Sequence, residues 1–156
     1  PTTTGTGNFS IQSWNATTGA PGNLSVATVY VRFYFRYGTK PSSGSEEIFR
    51  TEQSSGSTKK ISIRLTSAGN LAVYDTAESL STTGSTTLTQ DQWYRIEIRG
   101  GTGANASYEV RINGITEVSG TCDQLTNNVA RCVFGKKVNL NSQSVDFYYD
   151  DIAVDT

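Results

Sequence analysis

The chain has 156 residues, a length that fits one domain able to bury roughly 68–70% of the surface its unfolded form exposes, so neither metals nor many cross-links are needed to hold a core. Charged residues make up 17%, with 13 basic against 14 acidic and a formal net charge of −1, which argues against a nucleic-acid binder driven by bulk phosphate attraction. No apolar stretch approaches bilayer-crossing length and no charged-then-apolar leader precedes Pro1, so a soluble chain without membrane insertion is expected.

Methionine is absent even at the start, which suggests a processed product, an excised domain or an incomplete reading of something longer. Residues 1–7, PTTTGTG, read as a flexible arm or linker, and residues 8–156 as a single domain. NFSIQSW alternates Phe9 and Ile11 with polar neighbours and suits a first strand. VATVYVRFYFRY follows. Its Val29, Val31, Phe33 and Phe35 alternate with Tyr30, Arg32, Tyr34 and Arg36, because residues two apart share a face of a strand. EEIFRTEQ reads as a strand with mixed faces. KISIRLT and LAVYDT, joined at Gly69-Asn70, read as a hairpin with Ile61, Ile63, Leu65, Leu71 and Val73 on core faces. In WYRIEIRGG, Tyr94, Ile96 and Ile98 alternate with Arg95, Glu97 and Arg99; in SYEVRINGITEV, Tyr108, Val110 and Ile112 alternate with Glu109, Arg111 and Asn113. Asn113-Gly114 is a strong turn signal. The charged sets of these two strands are expected to pair across the ladder, at about 0.2–1 kcal/mol per pair. VDFYYDDIAVDT forms the last strand. No segment has a helical period, and short strands punctuated by Gly, Asn and Ser indicate an antiparallel sandwich.

Cys122 and Cys132 are the only cysteines. A disulfide between them is the first reading; it would stabilise by roughly 2.5–3 kcal/mol on the loop-entropy model and imply an oxidising compartment. Two unpaired buried thiols are the alternative. Without histidine they cannot complete a zinc site.

Gln92-Trp93-Tyr94 leading into RIEIRG, then YEVRING, then the terminal YYDDIAVDT resemble the second half of a laminin G-like or concanavalin A-like jelly roll, and VATVYVRFYFRY resembles its long early strand. The ending is similar to modules of bacterial secreted proteins and of phage tail or virion proteins. The resemblance implies an all-β, two-sheet antiparallel jelly-roll sandwich at an extracellular or virion surface, with a glycan or neighbouring protein subunits as partner. It also implies a core position for Trp93. Trp14, beside a turn-rich loop, suits either rim packing or ligand stacking.

The same fold carries glucanases and polysaccharide lyases. Hydrolysis needs two carboxylates facing one linkage, and the E-x-D-x-x-E arrangement of laminarinase-like enzymes is absent; Glu46 and Glu47, near Glu52, point to opposite faces of any strand. Lyases of this fold generally rely on a histidine or a tyrosine with an arginine; no histidine exists here, and Tyr30 or Tyr34 with Arg32 could in principle serve. The leading expectation is therefore a non-catalytic carbohydrate-binding or adhesion module. Its platform is Tyr30, Arg32, Tyr34 and Arg36, joined by Arg95 and Arg111, since aromatic rings stack on sugars and guanidinium forks bind hydroxyls or carboxylates. A structural module of a virion or extracellular assembly is the competing expectation, and a polysaccharide lyase or hydrolase the third. No cofactor is required. Asp150 shares its strand phase with Ile152 and Val154 and, unless a bulge intervenes, points to the core, where an arginine, backbone donors or a structural calcium held by Asp150 or Asp151 would satisfy it. Asn8, Asn15, Asn23 and Asn105 head N-x-S/T sequons, which matter only in a glycosylating host.

Overall fold

The structure is a computed structural model, which describes residues 2–5, 11–12, 24–53, 58–135 and 143–156. Twelve strands occur in these residues: β1 (Thr2–Gly5), β2 (Ile11–Gln12), β3 (Val29–Thr39), β4 (Ser45–Gln53), β5 (Lys59–Thr66), β6 (Leu71–Tyr74), β7 (Leu80–Thr83), β8 (Tyr94–Gly100), β9 (Ala106–Ile112), β10 (Ile115–Cys122), β11 (Val129–Phe134) and β12 (Val145–Asp155). No helix occurs among the described residues. The strands form two antiparallel six-stranded sheets, ordered β1-β12-β3-β8-β9-β10 and β2-β11-β4-β5-β6-β7. The molecule is an all-β antiparallel sandwich, as the alternation in the sequence led us to expect, with the jelly-roll architecture of the concanavalin A-like class that the resemblance implied.

The long strand β3 sits inside the first sheet, between β12 and β8, and its alternation is realised residue by residue. Val29, Val31, Phe33 and Phe35 are buried, while Tyr30, Arg32 and Tyr34 are exposed. Phe33 binds the two sheets together, and Phe35 packs within the first. Phe33 meets Phe134 of β11 edge-on at 5.3 Å and lies 6.1 Å from Phe49 of β4, and Phe35 meets Phe147 of β12 at 5.5 Å. Burying each such ring stabilises by about 1.5–3 kcal/mol, and edge-to-face pairing adds about 0.5–1.5 kcal/mol. The Tyr149 hydroxyl donates to the Ile48 carbonyl at 3.0 Å, so this buried tyrosine also crosses the sandwich.

The hairpins form as expected. Gly69 (φ 93°) turns β5 into β6, and Asn113 (φ 54°) with Gly114 (φ 86°) turns β9 into β10, the left-handed pair that a tight hairpin turn requires. Ile61, Ile63, Leu65, Leu71, Val73, Tyr94, Ile96, Ile98, Tyr108, Val110 and Ile112 are all in the core.

Four expectations need correction. Residues Thr2–Gly5, expected in an arm, pair with β12 as an edge strand. Trp93 is not a core residue: it precedes β8 and is 44% exposed, with the Arg36 guanidinium 5.4 Å from its ring. Cys122, half-buried on β10 of the first sheet, and Cys132, buried on β11 of the second, are free thiols, and the case for an oxidising compartment loses that support. Burial pushes the Cys122 thiol up to about 11 and Cys132 up to about 12. Asp150 is exposed, because a bulge between Asp150 and Ala153 with Asp151 at φ 46° breaks the phase of β12. Trp14 and most of the first predicted strand lie outside the described residues.

Candidate functional site

Each sheet turns one face to the core, so chemistry available to a ligand lies on the two outer faces. On the first sheet, the register aligns Asp155, Tyr30, Arg99 and Glu109 in one cross-strand row and Ala153, Arg32, Glu97 and Arg111 in the next. A groove of about 420 Å³ lies over these rows. Of the six residues expected to form a platform, Tyr30, Arg32 and Arg111 line this groove. Tyr34, Arg36 and Arg95 belong to the same face but lie outside it. Arg36 is clamped with its guanidinium 4.1 Å from the Tyr148 ring and an ion pair of 3.4 Å to Asp91, which suits a fixed surface bridge rather than a free ligand donor. Arg32 bonds Asp151 at 3.1 Å. No group of three or more histidine, cysteine or carboxylate side chains placed to hold a metal ion occurs among the described residues.

The expected cross-strand ion pairs are present in register, with Glu97 opposite Arg111 and Arg99 opposite Glu109. The bonds themselves run along the strands instead. Arg111 bonds Glu109 at 2.9 and 3.2 Å, and Arg95 approaches Glu97 at 3.4 Å. Residues two apart on a strand share a face, and this spacing lets a guanidinium reach its own neighbour. Arg111 and the Thr116 hydroxyl hold the Glu109 carboxyl below its ordinary range, Thr116 contributing most.

The outer face of the second sheet holds a different and denser arrangement. Phe49, Ile63 and Val73 form a core row, so the adjacent row of Arg50, Ser62 and Tyr74 points away from the core. Glu47 stands opposite Arg64, and Glu52 opposite both Lys59 and Arg131. Bulges between Glu47 and Phe49 and between Thr51 and Glu52 shift the phase of β4, which is buried along nearly its whole length. The ion pairs fall into two groups. Glu52 accepts from Arg50 and, at 3.2 Å, from Arg131; Arg50 also lies 3.7 Å from Glu47. Lys59 bonds Glu78 at 2.7 Å, and Arg64 bonds the other oxygen of Glu78.

Arg64 carries its guanidinium 3.8 Å from the centre of the Tyr74 ring, and the Tyr74 hydroxyl is 3.4 Å from Ser45 Oγ. Burial pushes the Lys59 ammonium down to about 8, with Arg64 adding to the effect, and burial also lowers Arg64. Glu78 differs from the rest of the cluster. It sits on the β6–β7 turn at φ 64°, its amide donates to Asp75 O at 3.3 Å, and its side chain is 50% exposed. It is therefore the point at which solvent meets the buried cations. Lys60, one residue from Lys59, is displaced by the bulge and donates to the carbonyls of Leu125 and Asn127, tying the β10–β11 loop to the sheet; burial pushes it down to about 8 as well.

Sequence reading named Glu47 and Glu52 only as carboxylates and did not single out the cations or Tyr74 of this cluster. The signal was present in the alternation of Arg50 and Glu52 in EEIFRTEQ and of Ser62 and Arg64 in KISIRLT, but nothing local indicates that such a charged face is buried.

No family model matches the chain, and no curated protein matches it. Solved structures do. An alginate lyase from polysaccharide lyase family 7 superposes with a TM-score of 0.66 at 12% identity, over 94% of this chain and 68% of that one. An endo-β-1,4-glucuronan lyase from the fungus Trichoderma reesei gives 0.66 at 12% identity, over 99% and 79%. A cellulose-induced protein, Cip1, gives 0.66 at 15% identity, over 99% and 90%. At these identities the likeness establishes the fold. The recurrence of polysaccharide lyases among the neighbours runs against the expectation of a non-catalytic carbohydrate-binding or adhesion module without enzyme activity.

Proposed function

We propose that the chain is a polysaccharide lyase acting on a uronate-containing polymer through the outer face of its second sheet. The observation that carries this reading is the Lys59–Glu78–Arg64 arrangement: two buried cations converge on one half-exposed carboxylate directly beside Tyr74.

The chemistry of β-elimination explains why that arrangement is useful. The proton removed from a uronate ring lies α to its carboxylate, and it becomes acidic only when the negative charge developing on that carboxylate is met by fixed cations. Glu78 marks a position where a carboxylate is already bound. When a substrate carboxylate displaces it, Arg64 supplies the neutralising guanidinium group and Lys59 is released. With its ammonium pushed down to about 8, Lys59 has a substantial neutral fraction near physiological pH and accepts the α proton. The Tyr74 hydroxyl donates a proton to the leaving glycosidic oxygen. The carbon–oxygen bond breaks, a carbon–carbon double bond forms in the ring, and no water is consumed.

Hydrolysis finds less support. Both oxygens of Glu52 are engaged by Arg50 and Arg131, and Glu47 lies against Arg50 and opposite Arg64, so these carboxylates serve the cations rather than flanking an open sugar linkage. The test is incubation with alginate and with polyglucuronate, read by the near-ultraviolet absorbance of the unsaturated product. Tyr74→Phe serves as the control.

A further inference from the structure

We infer that the groove on the outer face of the first sheet is a second glycan site, separate from the proposed catalytic face and selective for neutral hexose oligosaccharides. It lies on the opposite side of the sandwich from Tyr74 and Arg64, so its occupancy does not depend on the lyase reading.

The groove has a local cause. The bulge between Asp150 and Ala153 resets β12 so that Ala153 stands opposite Arg32, and a methyl group there leaves a depression beside the larger side chains of the next strands. Tyr30, in the neighbouring row between Asp155 and Arg99, is 51% exposed and offers its ring to that depression. The volume of about 420 Å³ falls in the range of small-ligand sites, roughly 300–1,000 Å³. One open aromatic face flanked by planar hydrogen-bonding groups is the arrangement that receives a pyranose ring, whose C–H face stacks while its hydroxyls bond at the edge.

Charge decides the class of sugar. Three arginines line the groove, Arg32, Arg99 and Arg111, and three carboxylates oppose them, Glu97, Glu109 and Asp155. Arg111 is already held by Glu109, and Arg32 by Asp151. A polyanion therefore gains no net attraction here. Hydroxyl groups, which donate and accept, find both kinds of partner in the arginines and carboxylates that line the groove.

The experiment is calorimetric titration of the whole chain with cellohexaose, maltohexaose and a hexamer of mannuronate at low and high salt. Tyr30→Ala, Ala153→Trp and Tyr74→Phe are compared with the wild type. Tyr30 and Ala153 are exposed, so both variants are expected to fold, which a thermal melt checks. The inference predicts saturable, salt-insensitive binding of a neutral hexamer, weakened about tenfold by Tyr30→Ala as loss of one stacked ring implies. Ala153→Trp should abolish it by filling the groove, and Tyr74→Phe should leave it unchanged. Absence of neutral-sugar binding, binding indifferent to both groove substitutions, or binding confined to the acidic hexamer would each overturn it.

Discussion

Arg64 and Tyr74, on adjacent strands of the second sheet, are in face-to-cation contact at 3.8 Å, and the same guanidinium bonds Glu78. One arginine thus links a carboxylate position to a phenol hydroxyl. If that link is the catalytic unit, Tyr74→Phe lowers kcat by roughly 10²–10⁴-fold, the usual range for loss of a general acid, while KM changes little. The thermal melt should remain close to that of the wild type, since the ring and its stacking are retained. Equal activity of Tyr74→Phe and wild type on polyuronate is the outcome that removes Tyr74 from the mechanism.

Glu78 competes with the substrate carboxylate, and removing its charge should favour binding. Its pair is half exposed, so the competition is worth roughly 0.5–1 kcal/mol. Glu78→Gln is therefore expected to lower KM about two- to fivefold on polyuronate. Steady-state kinetics over a range of substrate concentrations measure this, and an increase in KM would contradict the displacement step.

The buried network has a structural role of its own. Glu52 is fully buried and takes bonds from Arg50 and Arg131, so Glu52→Ala leaves two guanidinium groups without their shared acceptor. Breaking a buried pair on one side costs about 3–5 kcal/mol. Urea denaturation should find a loss of that size. A loss below about 1 kcal/mol, the range of exposed pairs, would mean that water reaches the cluster.

Two lysines pushed down to about 8 produce two pH effects. For activity, Lys59 must be neutral to accept the proton, so the rate rises with pH and levels off above about 8. For stability, the sign follows from proton counts. Below about 8 Lys60 is protonated in the folded and the unfolded chain alike and adds no slope. Between about 8 and its ordinary value of 10.5, the unfolded chain holds a proton that the folded chain has lost, so the contribution of Lys60 to stability rises with pH. Comparing melting temperatures of wild type and Lys60→Met across this window isolates the effect: the rise due to Lys60 disappears in the variant.

The fold was readable from the chain because its signals are local and periodic. The alternation in β3, the Gly69-Asn70 and Asn113-Gly114 turns, and the core sets of β5, β8 and β9 each depend on residues a few positions apart. The candidate catalytic face was not readable in the same way. Arg50, Arg64, Tyr74 and Glu78 converge through pairings of β4 with β5 and β5 with β6 and through a turn, and alternation gives the face of a charged residue without its burial. Bulges caused two further departures. One breaks the phase of β12, and others displace Lys60 and shift the phase of β4. The half-exposed Trp93 shows the weakness of assigning a role by position in a motif, because its ring lies before the strand that the motif opens.

The central claim is that buried cations on the second sheet promote elimination at a uronate. Mass and absorbance analysis of the products released from polyglucuronate and alginate tests it most directly. The account predicts oligosaccharides with an unsaturated, water-deficient end, formed by the wild type and suppressed by Tyr74→Phe and Arg64→Ala. Products that have gained water, or no cleavage of either polymer by the folded chain, would contradict it.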